Sequence, residues 1–210
     1  MKQAKVSFAF LFFIGAMFNI AIFLAQKTKA STPPPVETNI SYEEKRFMDA
    51  LGHRESSNNY QKVSKFGYLG RYQFGEVALE ELGYYKKTKR RWGPKNHWEG
   101  IWSGKHGIHS KKDFLNNKII QDIAAKALFI KNWKYIKNLG LHQFIGQKVQ
   151  GVRITKSGLI AGVHLMGVGG LSKFLLNKTP VQDGMGTHIS EYINNFKEYK
   201  LALNENHKLG

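Results

Sequence analysis

Hydrophobic positions divide the chain into one long apolar run near the N-terminus and a series of shorter segments with helical spacing. The run extends over 6–25 between flanking lysines. Its length lies between that of a signal-peptide core and that of a membrane-spanning helix. We therefore predict that residues 1–30 are a signal peptide or an N-terminal membrane anchor. A proline-rich spacer follows at 31–38, and residues 39–210 are long enough for one domain with its own core.

Beyond the spacer, the pattern predicts a mainly α fold. Ser41 and Glu44 have the spacing of a capping box, which begins a helix extending to about Glu55. The further predicted helices cover 76–82, 111–139 (as one helix or two), 157–166, 171–176 and 190–203. In the longest of them, helical spacing predicts a buried stripe of Ile119, Ile123, Ala127 and Ile130. We expect a compact loop or short β excursion at 65–75, irregular structure at 84–110, and at most one small β-hairpin.

Charge narrows the partners without choosing one. The net charge is +17, and without the four lysines of the N-terminal segment it is 17 − 4 = +13. Such a field attracts polyanions, and nucleic acid, acidic lipid and anionic cell wall all fit. For the basic run 86–91 followed by Trp92, a nucleic-acid strip is one interpretation. In an exported chain we expect contact with wall polymer or a membrane surface instead.

Several other features of the sequence have an ordinary structural explanation as well as a functional one. Trp92, Trp98 and Trp102 are either sugar-stacking platforms or anchors of the core. The chain has no cysteine, and its histidines lack metal-ligand spacing, so we expect no metal and no cofactor. The glycines at 167–170 indicate the end of a helix rather than a phosphate-binding loop.

Glu55 is the most informative acidic residue. It lies at the C-terminal end of an apolar helix, where the helix dipole disfavours a further negative charge. Partial burial acts in the same direction, and a glycosidase needs a carboxyl that stays protonated to supply the leaving oxygen with a proton. A Glu before a Ser/Asn-rich turn is more often a solvated helix end. The position of Glu55 alone therefore does not decide whether it is catalytic.

The spacing around Glu55 resembles a known signature. Glu55-Ser56 is followed in register by Asn59, Ser64, Gly67, Gly70 and Gln73. This pattern is similar to that of the lytic transglycosylase and goose-type lysozyme families, and the interval of 73 − 55 = 18 residues matches the common transglycosylase spacing. Later in the chain, the glycines of the stretch 162–169 resemble a further sequence element of these families. The stretch departs from that element at His164-Leu165, where the families have Tyr-Asn, and Tyr192 resembles the late family tyrosine.

The resemblance implies a lysozyme-like domain that cleaves the β-1,4 bond between N-acetylmuramic acid and N-acetylglucosamine. Glu55 would be the catalytic acid and then the base, giving a 1,6-anhydro product. The positions that the resemblance assigns to substrate binding are Ser56, Gly70, Tyr72 (under the sugar), Gln73, His164 and Tyr192.

Two alternatives remain. A hydrolase would need a second carboxylate about 5–9 Å away. Asp49 lies six residues before Glu55 on the same helix and points elsewhere, whereas Asp183 and Glu76 stay open. A non-catalytic wall-binding or assembly protein is the other alternative, favoured by the departure at His164-Leu165.

The expected partners follow from the same interpretation. They are peptidoglycan glycan strands, the membrane through an uncleaved N-terminal segment, and a cell-envelope machine as a further candidate, with no nucleic acid. The expected location is outside the cytoplasm, in the periplasm or cell envelope.

Overall fold

A computed structural model describes residues 40–89, 91, 93 and 95–203. The predicted signal or anchor, the spacer and Trp92 lie outside the described residues. Six α-helices are described: α1 Tyr42–Ser56, α2 Glu76–Glu81, α3 Lys111–Asn116, α4 Lys118–Asn138, α5 Lys156–Leu176 and α6 Ile189–Asn195. Short 3-10 helices cover Lys105–Gly107 and Leu141–Phe144. The predicted mainly α class is confirmed.

Within the described residues, the paired strands form two short antiparallel hairpins, where at most one was predicted. Strand β1 (Tyr85–Lys86) pairs with β2 (Ile101–Trp102), and β3 (Lys148–Val149) pairs with β4 (Val152–Arg153). Isolated bridges at Val63–Leu69 and Leu69–Phe74 make the compact β excursion expected between α1 and α2.

Helix α1 begins as its sequence predicts. The Ser41 hydroxyl accepts a hydrogen bond from the Glu44 backbone N–H at 3.2 Å, and the Glu44 carboxylate accepts one from the Ser41 N–H at 3.0 Å. The helix ends where Ser57 adopts a left-handed conformation with φ 56°. Phe47 and Leu51 are fully buried, so one face of the helix is fixed in the core.

Helix α4 lies at the centre of the domain and is buried on most of its circumference. Phe129 packs edge-on against Phe47 of α1, with ring centroids 5.4 Å apart. The predicted stripe was wrong at Ile119, which is 63% exposed, whereas Ile120 and Ile123 are buried. Asn117 caps α4, and its side chain accepts the Ile120 N–H. Ile119 therefore lies in the first turn of the helix, on the side that faces solvent.

Helix α5 was predicted as two helices separated by glycines. It extends through 167–170 as one element, but Gly167 has non-helical angles (φ 65°, ψ 171°) and kinks it. Thr155 caps its N-terminus, because the Thr155 hydroxyl accepts a hydrogen bond from the Gly158 N–H. By length and hydropathy α5 passes the test for a membrane span, yet its first half is buried in the core. This is weak evidence for a span.

The last helix is shorter than predicted. It ends at Asn195 rather than near Leu203. Leu201 and Leu203 are both buried outside any helix, and Ala202 between them is exposed. A non-helical segment with alternating burial thus continues the core where the sequence pattern had predicted helix.

Candidate active site around Glu55

Three helices bring side chains together at the C-terminal end of α1. Glu55 lies in the last turn of α1, and its side chain is 18% exposed. Its Oε1 accepts a hydrogen bond from the hydroxyl of Tyr192 on α6, which is 137 residues away in sequence. The Nε2 atom of His164 on α5 lies 3.6 Å from the same oxygen. The structure therefore groups Glu55, His164 and Tyr192, all three of which the sequence had suggested as site residues.

Glycines in α5 make this convergence possible. A Cβ atom at Gly158 would lie 2.8 Å from Cγ2 of Ile193, and one at Gly162 would lie 3.1 Å from its Cγ1. Both glycines are on the α5 face that receives α6, since residues four apart share a helix face. Their lack of side chains lets α6 approach closely, and Tyr192, the neighbour of Ile193, is thereby carried to Glu55.

His164 is enclosed rather than presented to solvent. Its side chain is 8% exposed. Its Nδ1 atom is buried and has no hydrogen-bond partner among the described residues. The kink at Gly167 comes three residues later, so the helix changes direction directly after the residue that faces Glu55.

The electrostatics of the site favour a neutral phenol. Burial raises the pKa of Tyr192 well above its ordinary value, and the charges of Glu55 and Asp183 act in the same direction. The Arg54 guanidinium opposes this effect from 5.8 Å over the Tyr192 ring. Arg54 also pairs with Glu191 at 3.3 Å, with both side chains about half exposed. Tyr192 therefore stays a hydrogen-bond donor toward Glu55.

The residues that match the signature hold the end of α1 in place. Ser56 is buried, and its hydroxyl donates to the carbonyl oxygens of Gly52 (3.1 Å) and Arg71 (2.8 Å). Gly70 has φ +73°, and its N–H donates to the Lys62 carbonyl. The Gln73 side chain donates back to the Gly70 carbonyl at 2.8 Å. In this structure these three residues fix the loop, and only Gln73 retains partial exposure.

Tyr72 lies in the core. Its side chain is fully buried, and its hydroxyl donates to Asp122 at 2.8 Å and accepts from Arg71 at 2.9 Å. A side chain with no exposed surface cannot lie under a sugar in this conformation. The placement suggested by the resemblance is therefore corrected to a structural one.

Sequence reasoning missed a buried polar cluster beneath the signature loop. Arg71 is its centre: the guanidinium donates to Asp49 at 2.5 Å and to Asp122 at 3.3 Å, and also to the side-chain oxygens of Asn58, Tyr60 and Tyr72. Burial opposes the charge of Arg71, but these partners hold its pKa above the ordinary value. Asp49 lies in α1 before Glu55, and Asn58 lies in the turn after the helix, so Arg71 is bonded to the chain on both sides of the candidate acid.

Gln121 of α4 completes this cluster. It is fully buried, its Oε1 accepts the Arg71 N–H at 2.9 Å, and its Nε2 donates to the Tyr60 and Phe114 carbonyls at 2.9 Å each. A buried amide with every group paired usually specifies one local arrangement. Its sequence signal is weak: a glutamine in a helix whose buried positions are mostly apolar but also include Lys126 and Asn132.

The carboxylates considered as a second acid are held in different ways. Asp49 pairs with Lys45 and Arg71, and despite the opposing effect of burial these bonds lower its pKa. Glu76 is buried and accepts hydrogen bonds from the Tyr85 hydroxyl and the Trp98 backbone N–H, whereas Glu55 contacts side chains of α5 and α6. Asp183 uses Oδ1 to accept two backbone N–H groups, yet its charge reaches Tyr192. Of these three carboxylates, Asp183 is the one whose turn, closed by the Gln182–His188 bridge, leads directly into α6, the helix of Tyr192.

The basic segment is attached to the signature loop. The Trp98 indole donates to the Gly67 carbonyl at 2.7 Å and stacks on Trp102 at 5.5 Å. Both rings are half-buried, so they act here as anchors. Beside them, Glu76 and Asn96 line a polar cleft together with Lys87, Lys89, Arg91, Lys95 and His97. In the described part of the chain, no group of three or more His, Cys, Asp or Glu side chains is arranged to hold a metal ion.

Comparison with known proteins adds no further assignment. No family model matches the chain, and no curated protein or solved structure matches it either. The geometry around Glu55 and the motif that surrounds it are thus the grounds on which a function is proposed.

Proposed function

We propose that this protein is a peptidoglycan lytic transglycosylase, in which Glu55 is first the general acid and then the general base. The observation that supports the proposal is the grouping of a partly buried Glu55 with Tyr192 and His164 at the end of α1. A carboxyl that is largely withdrawn from water, yet retains an exposed edge, suits proton transfer to a bound glycosidic oxygen.

The proposed reaction uses one carboxyl twice. Protonated Glu55 gives its proton to the oxygen that links the two sugars, and the bond from that oxygen to C1 of the muramyl residue breaks. The 6-hydroxyl of the same muramyl residue then attacks C1, and the Glu55 carboxylate takes the hydroxyl proton. The net proton movement is from the 6-hydroxyl to the departing sugar, so no water is consumed and Glu55 is returned to its acid form.

A hydrolase is the second candidate, and Asp183 is the observation that favours it. In that reaction a second carboxylate activates water or attacks C1, at about 5–9 Å from the acid. Asp183 has Oδ1 occupied by backbone N–H groups, and it lies in the turn that leads into α6, the helix of Tyr192. If the protein is a hydrolase, replacing Asp183 by Asn would abolish cleavage. If it is a transglycosylase, the same variant would keep its cleavage rate within a few-fold of the parent.

The proposal extends to location and partners. An exported protein in the periplasm or cell envelope, bound to glycan strands, accounts for the apolar N-terminal segment and the strongly basic remainder. Nucleic acid is not among the proposed partners. A cell-envelope machine is a further candidate, since a local opening of the wall would serve its assembly.

The test compares the purified full-length chain with Glu55→Gln on isolated peptidoglycan. Glu198→Gln is the matched control, because it removes the same charge from an exposed side chain. We expect 1,6-anhydro fragments, detected by mass spectrometry, from the parent and the control, and a rate about 10²–10⁴-fold lower for Glu55→Gln. Fragments with reducing ends would identify a hydrolase. Binding to the wall without release by any of the three proteins would rule out an enzyme and favour the wall-binding alternative.

A further inference from the structure

Two polar groups converge on one oxygen of Glu55. The Tyr192 hydroxyl donates to Oε1, and His164 Nε2 faces that same oxygen at 3.6 Å. A distance of 3.6 Å is longer than a formed hydrogen bond. Such contacts are often long in the free enzyme and shorten when substrate binds. The contacts found for this carboxyl within the described residues all involve Oε1.

The surroundings of His164 favour one tautomer. In a neutral imidazole, one nitrogen carries the proton and the other accepts. Nδ1 has no partner among the described residues in either tautomer, so the choice depends on Nε2. A lone pair on Nε2 would face the Glu55 carboxyl oxygen at 3.6 Å, whereas an N–H on Nε2 can donate to that oxygen. The side chain is also too enclosed, at 8% exposed, to offer a ring face to a sugar.

Two donors on Oε1 determine where the catalytic proton resides. In a protonated carboxyl, the carbonyl oxygen accepts hydrogen bonds and the hydroxyl oxygen donates. If Tyr192 and His164 both donate to Oε1, that oxygen is the carbonyl oxygen and the proton is on Oε2. After the proton leaves, the same two donors stabilise the negative charge that remains.

We propose that His164 is a positioning residue: by donating from Nε2 to Oε1 of Glu55, beside Tyr192, it reserves Oε2 for both proton transfers. This inference rests on the proposed function. It replaces the expectation that His164 binds the substrate. It also gives a physical use to the departure from the family pattern at this position, because histidine supplies a short, buried donor there.

Two substitutions of His164 separate the effect of its hydrogen-bond donor from the effect of its aromatic ring. In His164→Gln the side chain keeps an N–H donor near the position of Nε2, and in His164→Phe it keeps a ring without a donor. We expect His164→Gln to release fragments within about tenfold of the parent rate, and His164→Phe to lose about 10- to 100-fold, as for a hydrogen bond to a charged group. Retained activity in His164→Phe together with loss in His164→Gln would overturn the proposal in favour of a sugar contact. Equal losses would overturn it in favour of a purely structural role.

The control is His142→Gln. His142 also has a buried Nδ1 without a partner in the described part of the chain, and it lies in the 3-10 helix Leu141–Phe144. We expect this variant to cleave at the parent rate. Thermal unfolding of each variant identifies any loss that comes from the fold rather than from the site.

A second readout does not depend on activity. ¹⁵N NMR of the imidazole nitrogens in the parent should show the proton on Nε2, and Glu55→Gln should shift the Nε2 resonance of His164. A proton on Nδ1, or a resonance that does not respond to Glu55→Gln, would overturn the proposal. A parent that releases nothing from peptidoglycan would overturn the proposed function, whereas the NMR result would still decide the assignment of the His164 hydrogen bond.

Discussion

Replacing Gly70 by Ala tests whether the signature glycine is required by the loop that holds Glu55. Gly70 has φ +73°, and an added Cβ atom would lie 2.1 Å from Oε1 and 2.7 Å from Cδ of Gln121. Gln121 is fully buried and cannot move outward to solvent without giving up its bonds. The substitution therefore perturbs both the backbone of the loop and the amide beneath it.

The expected cost has two parts. An alanine in the left-handed region costs about 1–2 kcal/mol relative to glycine. Displacing Gln121 breaks the bond from the Arg71 N–H to its Oε1, and a buried donor left without a partner costs about 1–3 kcal/mol. The sum of about 2–5 kcal/mol is a large share of the roughly 5–15 kcal/mol that keeps a domain folded.

Gly83→Ala is the matched control. Gly83 also has positive φ (+77°), but no atom lies within 4 Å of an added Cβ. It should lose only the strain of about 1–2 kcal/mol. Urea unfolding of the two variants, compared at unchanged denaturant slope, gives the difference due to Gln121. Equal losses in the two variants would refute the clash between residue 70 and Gln121 as the reason for this glycine.

Two further predictions concern the Arg71 cluster and the buried tyrosines, including Tyr192 of the Glu55 site. Arg71→Met should lower the free energy of unfolding by about 2–3 kcal/mol, which is less than for a fully buried pair because Asp49 and Asp122 remain 43% and 26% exposed. Arg46→Met, which breaks an exposed pair, should lower it by less than about 1 kcal/mol. Similar losses for the two variants in urea unfolding would contradict this prediction. Burial raises the pKa of Tyr60 to about 12 and those of Tyr72 and Tyr192 further. Because their folded pKa values are raised, the stability they contribute is complete below about pH 10 and is lost above it. The absorbance of each phenol at 295 nm, taken as the difference between the parent and the matching Tyr→Phe variant, should therefore rise only as circular dichroism reports unfolding. A difference that rises near pH 10 in a folded chain would refute the burial argument.

Local signals in the sequence predicted the helix that carries Glu55 correctly. A capping box at Ser41 and Glu44 acts over three residues, and the apolar spacing of α1 needs no knowledge of its partners. The contact among Glu55, His164 and Tyr192 is different in kind. It joins three helices across 137 residues, and no spacing rule within one element predicts it. His164 and Tyr192 could be suggested only through the resemblance.

Helix α4 shows why the buried cluster could not be predicted. The predicted stripe assumed one buried face, and Gln121 lies two residues, or about 200°, from Ile119 on the opposite side of the helix. Because α4 is buried on most of its circumference, Gln121 is in fact fully buried. A glutamine in the core is justified only by the carbonyl and N–H groups that the Gly70–Arg71 loop and α3 present to it. Those partners are distant in sequence and become visible only in the folded chain.

The motif around Glu55 therefore has two physical functions in this fold, and they fall on different residues. Ser56, Gly70 and Arg71 are buried and spend their hydrogen bonds on fixing the end of α1 against α4. Glu55 keeps an exposed edge and is oriented instead by α5 and α6, through His164 and Tyr192. Rigid support from one side and polar contact from the other is the arrangement that holds a reacting group within a narrow range of positions. Because the supporting residues do not face the proposed substrate, a match to the motif supports a rigid Glu55 more directly than it supports any particular sugar contact.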